Sequence, residues 1–335
     1  MSQPTFIYNY IIPSLLISPI LSISMNSWFL IWMTLEFNLM TFIPFIIFYN
    51  NYYKNLAMKY FIIQAFSSSI LILCSNILLI NNFNLNSSII IIMNLSILIK
   101  IGAAPFHSWF VNMMNNLNWL NCFILATWQK IIPMIILMYM YNYKILYLSA
   151  IFSSLIGAFM GLNHQSIRLI MSYSSINHIS WMLMNLMISE KLWNLYFISY
   201  LLINLSIMMT FQKFNIYYIN QLFILNNFKL NKILLLINFL SISGLPPLFG
   251  FMMKWFSIHL MNWNNNYMLV MMFIIMSLLT FSFYMRICFT IMLQFNLNYK
   301  LLLINKFLPK MNFNLNNFIF INSFLNIWMI SMWMI

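Results

Sequence analysis

The stretch from Ser87 to Phe110, SSIIIIMNLSILIKIGAAPFHSWF, reads as a membrane-crossing helix with two departures from the pattern. Lys100 stands in its apolar middle, and Gly102 and Pro105 break it just behind. A lysine near the bilayer centre costs at least about 2.5 kcal/mol, so it persists where it faces a bundle interior or a water-filled path. Mid-membrane proline frees backbone carbonyls and turns half-helix ends toward a cavity, as in many ion sites. Charge and break together predict an all-α polytopic membrane protein with an ion path built into it.

Composition fixes the class independently. Only 5% of the 335 residues are charged and 63% are hydrophobic, with a mean hydropathy of +0.88, too few charges for a globular surface. At about 20 apolar residues per crossing the chain divides into about eleven spans. They are expected at 4–24, 26–49, 57–80, 87–110, 119–141, 145–163, 167–188, 192–212, 232–259, 266–294 and 315–335. The Asn-rich connectors NNFNLN, NMMNNLNW and NWNNN read as short loops, so one domain over 1–335 is expected. The opening MSQPT runs into an apolar stretch holding Pro13 and Pro19, with no cleavable signal pattern.

Loop charge orients the bundle. Loops after the even spans carry Lys54 and Lys59, then Arg168, then Lys213, Lys229 and Lys232, then Lys300, Lys306 and Lys310. Loops after the odd spans carry only Lys144 and Lys191. Positive charge stays inside, so the N-terminus and the even loops are expected on the matrix side of a mitochondrial inner membrane. The mitochondrial part of that expectation rests on residue usage: Asp is absent, Val111 and Val270 are the only valines, and residues with A- and T-rich codons abound.

Several function classes drop out. The net charge of +13 comes from lysines scattered singly between apolar spans, not from a basic face, so nucleic acid is not an expected partner. Cys74, Cys122 and Cys288 are isolated, without CxxC spacing, and read as small buried apolar side chains. There is no GxGxxG, no phosphate-cradling loop and no metal cluster, and nothing places His107 and His178 as a haem pair. No redox cofactor is expected in this chain.

A second broken segment, SISGLPPLFGFMMKW, sets Gly244, Pro246, Pro247 and Gly250 before Lys254. If 4–141 and 145–294 are two five-helix units, both broken, lysine-bearing helices fall fourth in their unit. An odd number of helices per unit inverts the second copy relative to the first, with the C-terminal helix 315–335 outside the repeat. Further ionisable groups in apolar runs are Glu36, in WMTLEFNLM, and Lys130, in TWQKIIP.

LIKIGAAPFHSWF, TWQKIIP, MSYSSINHISWM and SGLPPLFGFMMKW, in this order, resemble the antiporter-like membrane subunits of proton-pumping NADH:ubiquinone oxidoreductase, respiratory complex I. The resemblance covers nearly the whole chain. The length suits the chain 2 type better than the longer chains 4 and 5, which share the motifs; bacterial relatives carry further N-terminal helices. By this resemblance Glu36 is the family's acid, Lys100 its partner lysine, Lys130 the central lysine, Lys254 the terminal lysine and His178 a histidine between the halves. Together they imply a midplane proton relay. Asn177 and Ile179 depart from the residues relatives often carry beside that histidine. The resemblance implies that NADH, FMN, iron–sulfur clusters and ubiquinone bind other subunits. It also implies chains 4, 4L and 6, accessory subunits and membrane lipid as partners.

The chemistry is intelligible without the family. A carboxylate that approaches or leaves Lys100 would switch it between holding and releasing a proton, and Thr127, Pro133, Ser174 and Ser175 lie where they can help orient water. The plainer readings are a packing kink, a histidine satisfied by neighbouring helices, and a spacer subunit that moves no ions; a stand-alone cation/proton antiporter is a third. Four buried ionisable groups argue against a spacer, which would be more stable with apolar residues there. Arg286, well inside its span, reads either as an exit group or as an interface residue. Glu190 beside Lys191 reads as a loop pair, and the remaining lysines as snorkelling interface residues.

Overall fold

A computed structural model of the chain describes residues 10–49, 53–80, 87–222, 229–246 and 248–293. Thirteen helices follow one another among these residues: α1 (Ile12–Ser24), α2 (Trp28–Tyr49), α3 (Lys54–Ile80), α4 (Ser87–Ile101), α5 (Ser108–Asn116), α6 (Trp119–Ala126), α7 (Trp128–Tyr139), α8 (Tyr143–Gly161), α9 (Ile167–Ile188), α10 (Glu190–Phe214), α11 (Lys229–Ser243), α12 (Phe249–Trp263) and α13 (Tyr267–Leu293). Extended pairing among the described residues is a single bridge, Ser166 to Tyr218. Six segments are long and apolar enough to cross a membrane: 28–48, 54–80, 119–139, 143–161, 190–214 and 267–293. Their outward faces are apolar, with Met40, Ile62, Phe66 and Leu73 exposed, as lipid or partner helices require.

The expected spans at 87–110 and 232–259 are each two helices, interrupted behind Ile101 and behind Ser243. The span expected as continuous at 119–141 is also interrupted. Thr127 has φ −121° and ψ −69° and stands between α6 and α7. The expected span 315–335 lies outside the described residues, as do Lys300, Lys306, Lys310 and Pro247.

Two compact units divide the chain, residues 1–117 with 124–149, and residues 118–123 with 150–335. In the first, α1 packs on α2, α2 on α3, α3 on α4, and α7 closes against both α4 and α1. Trp128 ties α7 to α1 by donating its indole N–H to the Leu15 carbonyl at 2.7 Å. Phe42, Phe45, Leu71, Ile97 and Phe110 are buried at its core.

In the second unit α9 is buried almost all round, including Ser172, Ser174, Ser175, Asn177 and His178. Gly157 of α8 makes this possible, because a Cβ there would come within 2.8 Å of the Asn177 N and the Tyr173 O. α9 contacts α10 and α12, and α11 and α12 pack against each other, α10 and α13.

Candidate functional site

Lys100 sits in the last turn of α4, where exposed carbonyls and the negative end of the helix dipole favour a cation. The stop is made by Gly102 at φ +75°, whose N–H and that of Ala103 both donate to the Leu98 carbonyl, at 3.1 and 3.2 Å. Only glycine takes this left-handed position without penalty. Lys130 lies in the first turn of α7, the positive end of a different half-helix. The two lysines therefore meet from helix ends of opposite polarity, 6% and 2% exposed. Lys130 Nζ stands 4.8 Å above the Phe110 ring, a cation–π distance.

Both lysines line one cavity of about 20 Å³, with Asn38, Tyr60, Gln64 and Gln129 as its other polar walls. That is room for about one water. The amides are fixed reciprocally: Asn38 Nδ2 donates to Gln129 Oε1 at 2.7 Å, and Gln129 Nε2 donates to Asn38 Oδ1 at 3.2 Å. Tyr60 adds its hydroxyl to Gln129 Oε1 at 3.3 Å, and Gln64 Nε2 donates to the Lys100 carbonyl at 3.3 Å. Glu36 is not part of this wall. It is half-buried on α2, whose extensive packing is with α1 and α3.

The second unit brings His178 and Lys254 to a cavity of about 10 Å³, with Tyr196, Ser199 and Tyr200. His178 Nδ1 is 2.8 Å from the Tyr196 hydroxyl, and its ring centroid is 5.0 Å from that of Tyr200. Lys254 donates to the last carbonyls of α11, Ile242 O at 3.1 Å and Ser243 O at 3.0 Å. An ammonium thus caps a half-helix end. Here too a glycine ends the first half, Gly244 at φ +84°, with its own N–H and that of Leu245 donating to the Leu240 carbonyl, each at 3.2 Å. The breaks share this chemistry, but Lys100 precedes its break and Lys254 follows its own.

Ser174 and Ser175 give their hydroxyl protons to backbone carbonyls of their own helix, those of Met171 at 2.9 Å and Ser172 at 2.7 Å. Toward water beside His178 they can offer only acceptor lone pairs. Pro133 lines the lysine cavity, whereas Thr127 is the residue preceding α7. His107 precedes α5, its Nδ1 3.1 Å from the Pro105 carbonyl. Arg286 is a clamp: it donates to the carbonyls of Leu162 and His164, both at 2.8 Å, and so holds the turn after α8. Lys232 has no exposed surface, unlike a snorkelling interface residue. Glu190 opens α10 behind the capping Ser189, where a carboxylate suits the helix dipole. The sequence signal for Asn38, Gln64, Gln129, Tyr196 and Tyr200 was available, since each is a polar side chain inside an apolar run.

The family description NADH:quinone oxidoreductase/Mrp antiporter, transmembrane, matches residues 25–280. The NADH-ubiquinone oxidoreductase chain 2 of Anopheles gambiae is 41% identical over 91% of this chain and 90% of its own length. That of Aedes aegypti is 40% identical over 83% and 84%. Among solved structures, a chain of respiratory complex I from Thermus thermophilus superposes with a TM-score of 0.78, over 84% of this chain and 69% of its own, at 18% identity, a likeness of fold. With broken helices, buried lysines and these relatives in agreement, the chain belongs to the NADH:quinone oxidoreductase/Mrp antiporter transmembrane family, among the NADH-ubiquinone oxidoreductase chain 2 subunits.

Proposed function

We propose that this chain is a proton-translocating subunit in the membrane arm of NADH:ubiquinone oxidoreductase, in the mitochondrial inner membrane, with its N-terminus on the matrix side. Its relay comprises Glu36, Lys100, Lys130, His178 and Lys254, and the chain 2 relatives support the assignment to this complex. One observation carries the relay: Lys100 and Lys130 share a water-sized cavity walled by buried amides. Two ammonium groups facing one space repel, so a proton on one disfavours a proton on the other. Each unit holds its own lysine cavity, and the relay uses both. Glu36 biases the first from outside its wall, and His178 serves the second with the Tyr196 hydroxyl.

Two inverted five-helix repeats and a C-terminal helix, about eleven in all, are the architecture that fits this role. The electrons, and with them NADH, FMN, iron–sulfur clusters and ubiquinone, belong to other subunits; chains 4, 4L and 6, accessory subunits and lipid are the neighbours. The test is Lys130→Met, which keeps length and apolarity. Assembled complex carrying it is expected to lose at least tenfold in proton pumping per NADH oxidised. Wild-type pumping in that complex would remove Lys130 from the relay.

A further inference from the structure

A second space in the first unit borders the lysine cavity. It has about 320 Å³, and its polar wall is Lys59, Tyr60, Ser108, Trp109 and Asn112, contributed by α3 and α5. Two residues, Tyr60 and Trp109, line both this space and the cavity of Lys100 and Lys130. They are the partition. Their ring centroids lie 5.9 Å apart at 56°, and both are buried, whereas Lys59, Ser108 and Asn112 are exposed. Trp109 is pinned by its indole N–H to the Ile99 carbonyl at 3.0 Å, one residue before Lys100. Tyr60 reaches the other way, to Gln129, one residue before Lys130.

Resting on the relay reading above, we infer that this space is a water-filled vestibule and that Tyr60, with Trp109 beside it, is the gate by which protons pass between vestibule and lysine cavity. The volume holds on the order of ten waters at about 30 Å³ each. Leu56, Ile62, Ile63 and Met113 give the space an apolar wall as well, Ile62 at its outward edge, but a lipid tail filling it would leave the Ser108 hydroxyl and the Asn112 amide facing hydrocarbon, a cost of roughly 1–3 kcal/mol each. Tyr60 is the one hydroxyl bordering both spaces. In the step, the hydroxyl turns from Gln129 Oε1 toward the cavity water; its oxygen takes a proton from a hydronium in the vestibule, leaving water there, while its own proton passes through the cavity water to a neutral lysine. One O–H bond forms as another breaks, and the tyrosine is regenerated once its hydroxyl rotates back. Trp109 has no transferable proton for this purpose and serves as the fixed jamb.

The test uses the assembled complex in proteoliposomes; Cys74, Cys122 and Cys288 of this chain are buried, and labelling of the other subunits is subtracted by running the wild-type complex through the same reaction and reading the label on this chain. Asn112→Cys is expected to react with a small water-soluble cationic thiol reagent, and the labelled complex to pump at least fivefold more slowly than the unlabelled. Tyr60→Phe, which keeps the ring and removes the hydroxyl, is expected to slow pumping about tenfold in complex that assembles normally. Reaction only with a lipid-soluble reagent would make the space a lipid site and overturn the vestibule. Full pumping after labelling, or in Tyr60→Phe, would overturn the route. Lys130→Met measured alongside separates the two readings, because loss there with full pumping in Tyr60→Phe condemns the gate alone.

Discussion

Glu36 and Lys100 are the acid and the base that the proposed relay couples in the first unit. The carboxylate lies off the cavity wall on α2, and the lysine stands in the last turn of α4. Any field between two such groups is stronger inside a helix bundle than in water, and it changes whenever either helix shifts. Glu36→Gln should therefore weaken proton retention at Lys100, and Glu36→Gln with Lys100→Met should pump no worse than the worse single variant. Such non-additivity marks groups acting as one unit. Strictly additive losses in pumping rate would assign the residues to separate steps and end the switching model. At this scale the sequence was informative for charges and poor for their partners. Lys100, Lys130 and Lys254 stand out in apolar runs, but that Gln129 pairs with Asn38, 91 positions away, is a product of tertiary packing that local reading does not contain.

Helices show the same division. Breaks marked by glycine and proline, behind Ile101 and Ser243, were legible because Gly102 and Gly244 take φ values of +75° and +84° that other residues adopt only with strain. The break at Thr127 was not legible, as no glycine marks it and Thr127 is fully buried, its backbone set by neighbours. Gly250 belongs to a third kind. Its Cα lies against the Ser241 carbonyl with no room for a Cβ, so it fixes how closely α12 crosses α11 and hence whether Lys254 can reach the Ile242 and Ser243 carbonyls. Gly250→Ala is expected to push these helices apart and abolish assembly. Gly244→Ala adds strain of roughly 1–2 kcal/mol and crowds Lys254, whose Nζ lies 3.1 Å from the added Cβ position; it should assemble with lowered thermal stability. Immunoblots of native gels and a thermal melt of the complex measure both. Wild-type assembly of Gly250→Ala would show that the crossing can relax.

At the scale of the whole molecule, the chain buries Lys100, Lys130, His178 and Lys254, the groups that the proposed relay puts to use. In the relay proposed above the lysines move charge by taking up and releasing protons, without electron chemistry of their own. A relay of this kind needs a source of conformational or electrostatic work outside itself. The apolar outer faces of α2 and α3 suit partner helices or lipid equally, so the partnership must be measured. Solubilised in mild detergent, the chain is expected to co-migrate on native gels with a multisubunit assembly that stains for NADH oxidation. Lys100→Met should stay in that assembly, because shedding a buried charge relieves desolvation and leaves the helix contacts in place. Recovery of the wild-type chain only as a free species would sink its assignment to the membrane arm, and would turn attention to an autonomous antiporter built on the same two lysine cavities.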